Sequence, residues 1–357
     1  MQPVAVRILH PEAPAGAGDL ERWLAEARRR NAERLWSLFD AAGADDVRVV
    51  TGPPDQASFG ARLRSIAEAL DGAGLVVLGS GAMPLASEAD TRAFVVAAGS
   101  GDRIALANNR YSADAVAIGS VEPLRRMPDL PADNALPRWL EEVAGFSVTD
   151  LRRRWRLSMD LDSPLDVVLT GAVHGRAESE LGPIRRAIEA VREVAADRRR
   201  ELVVAGRTSA GTLGWLERFT AARVRALVEE RGLKASAVEA MSAPPTGGRV
   251  GRGPRSVLGL ALDGAGPEAL GRVLDELGDG AIVDSRVLLA HRLGAEERRW
   301  PSAEDRFASD LLLPERVQDP WLRALTSAAL TGPIPVLLGG HSLVGPGIRL
   351  LLGAGRP

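Results

Sequence analysis

"LSMDLDSPLDVVL", residues 157–169, places Asp160, Asp162 and Asp166 around a Ser163-Pro164 corner, just before an apolar run. In an extended segment Asp160 and Asp162 point to the same face. Two carboxylates so placed repel unless a cation or a donor lies between them. Pro164 fixes a turn, and Asp166 caps or leads the next element. The stretch is therefore either a metal-ligand edge, with Asp160 and Asp162 as ligands, or a turn that ties its own carboxylates to backbone N–H groups.

Outward from this stretch, strands and helices alternate. Apolar runs predict strands at 4–9, 47–52, 75–81, 103–108, 115–119 and 165–171, then at 201–206, 256–262, 281–290 and 334–340. Between them, Leu20, Trp23, Leu24, Ala27, Leu35, Leu38 and Phe39 recur close to a 3.6-residue period, as a helix requires. Further helices are predicted at 58–70, 182–200 and 212–231, the last stopped by Gly232. This alternation predicts an α/β fold with mainly parallel sheets and flanking helices. The length, 357 residues, suggests two domains. Their boundary is expected in "GAVHGRA", giving domains of 1–172 and 173–357. The Pro/Gly-rich segment 242–255 reads as a mobile loop.

Composition narrows the chemistry. Apolar residues make up 45%, enough for a sizeable core, and the net charge of −2 gives no reason to expect nucleic acid or an anionic membrane as partner. Without cysteine there is no disulfide, thiolate nucleophile or Cys-ligated metal. Lys234, at a predicted helix end, is the only lysine, so no other residue is available as a P-loop or Schiff-base lysine. The opening residues lack the pattern of a secretory leader and no 18-residue apolar run occurs, so a soluble, cytoplasmic protein is expected. No Gly-Xaa-Ser-Xaa-Gly elbow follows a strand, which removes the main signature of a Ser-His-Asp hydrolase. His10, His174 and His291 are scattered and suggest no metal site.

Two stretches carry a resemblance. "LVVLGSGAMPLASEADTRAFVVAA" (75–98) looks like a strand, an acidic-Leu-Pro turn and a Ser/Thr-Xaa-Xaa-Asp helix start. "LSMDLDSPLDVVL" looks like a closing Asp-Xaa-Asp-Ser/Thr-Pro-Xaa-Asp motif. Over residues 1–172 the chain thereby resembles nucleotidyltransferases of glycosyltransferase-A-like (nucleotide-diphospho-sugar-transferase-like) fold, such as 2-phospho-lactate guanylyltransferases and molybdenum-cofactor-type nucleotidyltransferases. The resemblance implies nucleotide binding, transferase chemistry and magnesium held by Asp160 and Asp162. Two departures stand against it. The family's second metal-binding Asp falls where this chain has Gly81-Ala82. The loop after the first strand has Gly16 and Gly18 but no lysine, and no arginine before Arg22.

The second half resembles no family. Its polar residues gather at predicted strand ends, where open α/β sheets bind ligands. Arg207, Thr208 and Ser209 follow one strand and suit a phosphate or carboxylate, or form a plain helix cap. Asp284 and Arg286 flank Ser285 and would share a strand face as an ion pair. Asp305, Arg306, Ser309 and Asp310 read as a solvated turn and helix start. Gly339, Gly340, His341 and Ser342 end another strand, where glycines would let a ligand approach. If these strands are parallel neighbours, Arg207, Arg286 and His341 could converge on one small anion. Three functions stay open: a nucleotidyltransferase-like enzyme with an altered site, a non-catalytic binding or regulatory protein that keeps the fold, and an enzyme whose site lies in the second half.

Overall fold

The computed structural model describes residues 2–53, 57–70, 72–130, 133–229 and 254–353. Two compact units emerge: Met1–Ala17 with Arg22–Leu161, and Gly18–Glu21 with Asp162–Pro357. The division falls between Leu161 and Asp162, inside the Asp-Leu-Asp stretch, whereas the sequence pointed to 172/173. Residues 18–21 belong with the second unit because Glu304 accepts from the N–H groups of Leu20 and Glu21, and Asp19 pairs with Arg176 and Arg316.

The first unit is a six-stranded sheet of β1 (Val4–Pro11), β2 (Asp46–Gly52), β3 (Gly74–Gly79), β4 (Ile104–Ala107), β5 (Ala115–Ile118) and β6 (Ser147–Asp150). The order is β2-β1-β3-β5-β4-β6. β1 lies parallel between β2 and β3, β4 is parallel to β6, and β5 runs antiparallel between β3 and β4. Alternation along the strands splits the core in two. Val4, Val6, Ile8, Val76 and Leu78 pack with Leu35 and Phe39 of α1 (Asp19–Ala41) and Phe94 of α3 (Glu88–Ala98). Ala5, Leu75 and Val77 face the other way, toward Leu63 of α2 (Phe59–Glu68), Leu124 and Leu140 of α4 (Leu136–Glu142).

The second unit holds a four-stranded, wholly parallel sheet in the order β10-β9-β7-β8, formed by β7 (Glu201–Gly206), β8 (Arg223–Val228), β9 (Gly280–Asp284) and β10 (Val336–Gly339). All of β9 and β10 is buried, as parallel strands covered on both faces require. Its helices are α5 (Pro164–Leu169), α6 (Glu178–Ala196), α7 (Ala210–Phe219), α8 (Val257–Ala265), α9 (Leu270–Asp275), α10 (Ser285–Leu293), α11 (Ala303–Asp310), α12 (Pro320–Thr331), α13 (His341–Val344) and α14 (Gly347–Gly353).

The α/β class with mainly parallel sheets is therefore as expected, but four elements differ. Residues 165–171 were expected as a strand. They belong to helix α5 and the turn after it, started by a capping box in which Asp166 accepts from the N–H of Ser163. Residues 256–262 were also expected as a strand and form the start of α8, capped by Ser256. The helix expected over 212–231 ends at Phe219, and 223–228 form the edge strand β8. The strand expected over 281–290 stops at Asp284, where the chain turns into α10. Gly232, Lys234 and residues 242–253 lie outside the described residues. Among those described, no helix is long and apolar enough to cross a membrane.

Candidate functional site

In the first sheet the chain leaves β1 toward β2 and leaves β3 toward β4, beyond β5, on the opposite side. The helices that follow β1 and β3, α1 and α3, pack on one face of the sheet and α2 on the other. The carboxyl ends of β1 and β3 thus form a topological switch point, where open sheets leave a crevice. A cavity of about 360 Å³ lies there, lined by Leu9, Pro11, Val77, Leu78 and Gly79, by Ala57, Phe59 and Arg62, by Ala113–Val116, and by Asp133. Its wall is mostly apolar, with one guanidinium and two carboxylates. Asp114 is fixed by buried Asn108, whose Nδ2 donates to Asp114 Oδ2 at 3.0 Å and whose Oδ1 accepts from Asp114 N at 3.0 Å.

The turn after β3 contains both halves of the resemblance. Ala82 pairs with Asp160 in an antiparallel bridge, flanked by Met83 N donating to Met159 O and Leu161 N donating to Gly81 O. Met83 adopts a positive φ of 48°, a region that costs energy for a side-chain-bearing residue. One face of α1 holds it there. Asn31 Nδ2 donates to Ser80 O at 2.8 Å and Ala82 O at 2.9 Å, Arg34 to Met83 O at 2.8 Å and Ala86 O at 3.0 Å, and Arg28 Nε to Leu161 O at 2.7 Å. Beneath the turn, His10 Nδ1 lies 3.0 Å from Ser80 Oγ, both residues buried. Burial, followed by the Arg28 and Arg29 charges, holds His10 below its ordinary value.

A magnesium ion, implied by the resemblance, does not fit this donor set. The position opposite Asp160 is the methyl of Ala82. Asp162 belongs to the other unit, where its N–H donates to Asp166 and its Oδ2 lies 3.9 Å from His341 Nδ1. Among the described residues no group of three or more His, Cys, Asp or Glu side chains gathers to hold a metal.

The second sheet brings the other candidates to one edge. β7, β9 and β10 are parallel neighbours, so Arg207, Asp284 and Gly339 all stand at carboxyl ends. Arg207 grips Asp284 through Nε at 2.6 Å and Nη2 at 3.0 Å. Gly206, at φ 128°, lets them meet: a Cβ there would lie 2.2 Å from that of Asp284. Arg286 does not pair with Asp284, as an extended strand would have required. It turns into α10 and makes two 2.6 Å contacts with Asp310. Nor is 305–310 solvated: Asp305, Ser309 and Asp310 are buried, with Asp305 accepting from Gln318 N and Asp319 N. Thr208 donates to Val344 O, and Ser209 caps α7. A Cβ at Gly339 would meet Leu343 and Leu165, so close packing explains that glycine, whereas the space beside Gly340 is open. His341 is half-exposed, and the buried Ser342 Oγ has no hydrogen-bond partner among the described residues.

Sequence reading missed Arg62, Asp114 and Asp133, which lie in segments without a motif, and the Arg28-Asn31-Arg34 face of α1. An asparagine flanked at i−3 and i+3 by arginines, mid-helix, was the available signal for that face. Comparison with known protein families, curated proteins and solved structures finds no match.

Proposed function

We propose that this is a ligand-binding protein of nucleotidyltransferase-like build, whose first unit takes a nucleotide or another small phosphorylated molecule. One observation carries the reading: the cavity of about 360 Å³ at the carboxyl ends of β1 and β3. Its volume lies within the roughly 300–1,000 Å³ of small-molecule pockets. Apolar walls suit a base or sugar face, Arg62 suits an anionic group, and Asp114 and Asp133 suit N–H or hydroxyl donors. Nucleotidyl transfer is the weaker half of the resemblance, because the turn opposite Asp160 offers no second carboxylate. The test is a thermal-shift panel of nucleosides and their mono-, di- and triphosphates, with and without magnesium. A ligand at 100 times its Kd should stabilise the protein by about 2.7 kcal/mol. Gly79 lines the cavity with open space at its Cβ position, so Gly79→Leu should abolish the response. A panel without any shift, or a shift that Gly79→Leu leaves intact, refutes the reading. A response lost instead in Arg207→Met would favour a site in the second unit, where Arg207 stands at the sheet's carboxyl edge.

A further inference from the structure

We propose that the Arg28 guanidinium is the built-in cation of the turn at Gly81–Met83, so that this edge, with Asp160 in it, works without a divalent metal. A methyl group at Gly81 would lie 2.6 Å from Asp160 Oδ1 and 3.2 Å from Arg28 Nε. The carboxylate and the guanidinium thus both crowd the Gly81 position and leave no room for a methyl group beside them. A divalent ion beside Asp160 would meet a fixed positive charge there, and Ala82 across the bridge supplies no ligand.

The neighbouring backbone oxygens are engaged as well. Those of Ser80 and Ala82 accept from Asn31, that of Met83 from Arg34 and that of Leu161 from Arg28. A hard cation takes about six oxygens, several of them from water, and needs at least one or two from the protein. Here the nearby carbonyls already serve as acceptors for side chains three residues apart on α1. The lowered pKa of His10 fits the same picture, since a neutral imidazole beneath the turn adds no second cation beside Arg28. The consequence for the adjacent cavity is specific: its occupant binds without a metal bridge. That consequence rests on the cavity being a ligand site, but the role of Arg28 does not.

The experiment uses manganese alone, followed by the loss of the free-ion electron paramagnetic resonance signal, on full-length protein whose folding is checked by thermal melting. Wild type should show no binding that Asp160→Asn removes. Ala82→Asp adds the missing carboxylate and should still not bind, because Arg28 remains. Arg28→Met with Ala82→Asp should bind one ion at least about tenfold more tightly than Ala82→Asp alone, the scale on which neighbouring groups tune metal sites. Arg28→Lys with Ala82→Asp keeps the charge and should stay silent. The proposal is overturned by wild-type binding that Asp160→Asn abolishes. Equal affinity of Ala82→Asp with and without Arg28→Met, or a folded Arg28→Met/Ala82→Asp that does not bind, also overturns it. Because no nucleotide is present, failure here leaves the cavity reading to its own test.

Discussion

The carboxyl edges of the two sheets share a topology and differ in what fills them. In the first unit the switch point between β1 and β3 stays open as a cavity, and the adjoining turn is held by side chains donating to backbone carbonyls. In the second, the chain leaves β7 toward β8 on one side and leaves β9 toward β10 on the other, so β7 and β9 form the switch point. The Arg207–Asp284 pair occupies it. Beside that pair lie Arg286–Asp310 and a third buried carboxylate, Asp166, whose charged neighbours include Asp162 and Asp310. Position in a fold thus marks where a ligand can bind, and the side chains decide whether room is left.

The sharpest way to break this contrast is Arg286→Met. It keeps the bulk of the side chain but leaves Asp310, fully buried, without its two 2.6 Å partners. Removing one partner of a buried pair costs about 3–5 kcal/mol. A loss under about 1 kcal/mol in chemical denaturation would mean that water reaches Asp310 and that this edge is more open than its packing indicates.

Asn31→Ala is the counterpart in the first unit. It strips the donors from two buried carbonyls at the mouth of the β3 turn. Two neutral hydrogen bonds at roughly 1–1.5 kcal/mol each give an expected loss of about 2–3 kcal/mol. The same variant should weaken any ligand bound beside Gly79. If stability falls with binding unchanged, the turn and the cavity are independent.

Most strand positions were readable from the sequence because β1, β2, β3, β7 and β10 are apolar runs, whereas their order in the sheets was not. The misread elements share one physical cause. "LDVVL" and "VLGLAL" are short apolar runs, which serve equally as buried strands or buried helix turns. What separated them was a local cap: Ser163 with Asp166, and Ser256. "RVRALV" does not alternate, because β8 is an exposed edge, and so it passed for the end of a helix. In the candidate site, the pairing of Ala82 with Asp160 joins the two stretches that carried the resemblance. The ion pairs did not show, since Arg207 and Asp284 are 77 positions apart and Arg286 and Asp310 are 24 apart. No periodicity links residues that only tertiary packing brings together.

The finest test uses one local motif present in both units. Ser87-Xaa-Xaa-Asp90 and Ser163-Xaa-Xaa-Asp166 are both capping boxes, with the serine N–H donating to the aspartate at 2.9 Å and 2.7 Å. Their surroundings drive the two carboxyls apart. Burial works against ionised Asp90, but donors from Ser87, Arg156 and Arg154 outweigh it and bring Asp90 to about 2. Burial, then the Asp162 charge, pushes Asp166 up to about 8 against the Ser163 donors. The signs follow from proton binding. Between its ordinary value of 3.8 and about 2, Asp90 carries fewer protons folded than unfolded, so its contribution is present above pH 3.8 and is lost as pH falls through 2. Between 3.8 and about 8, Asp166 carries more protons folded, so its contribution is complete below pH 3.8 and is lost as pH rises through 8. Each slope is at most about 1.4 kcal/mol per pH unit. Asp166→Asn should therefore flatten the decline of stability between pH 4 and 8, and Asp90→Asn should flatten the rise between pH 2 and 4. Denaturation midpoints across pH 2–9 decide the matter. If Asp166→Asn leaves the neutral-to-alkaline slope unchanged, Asp166 is ionised in the native state. The second edge would then hold an ionised Asp166 beside its two Arg–Asp pairs.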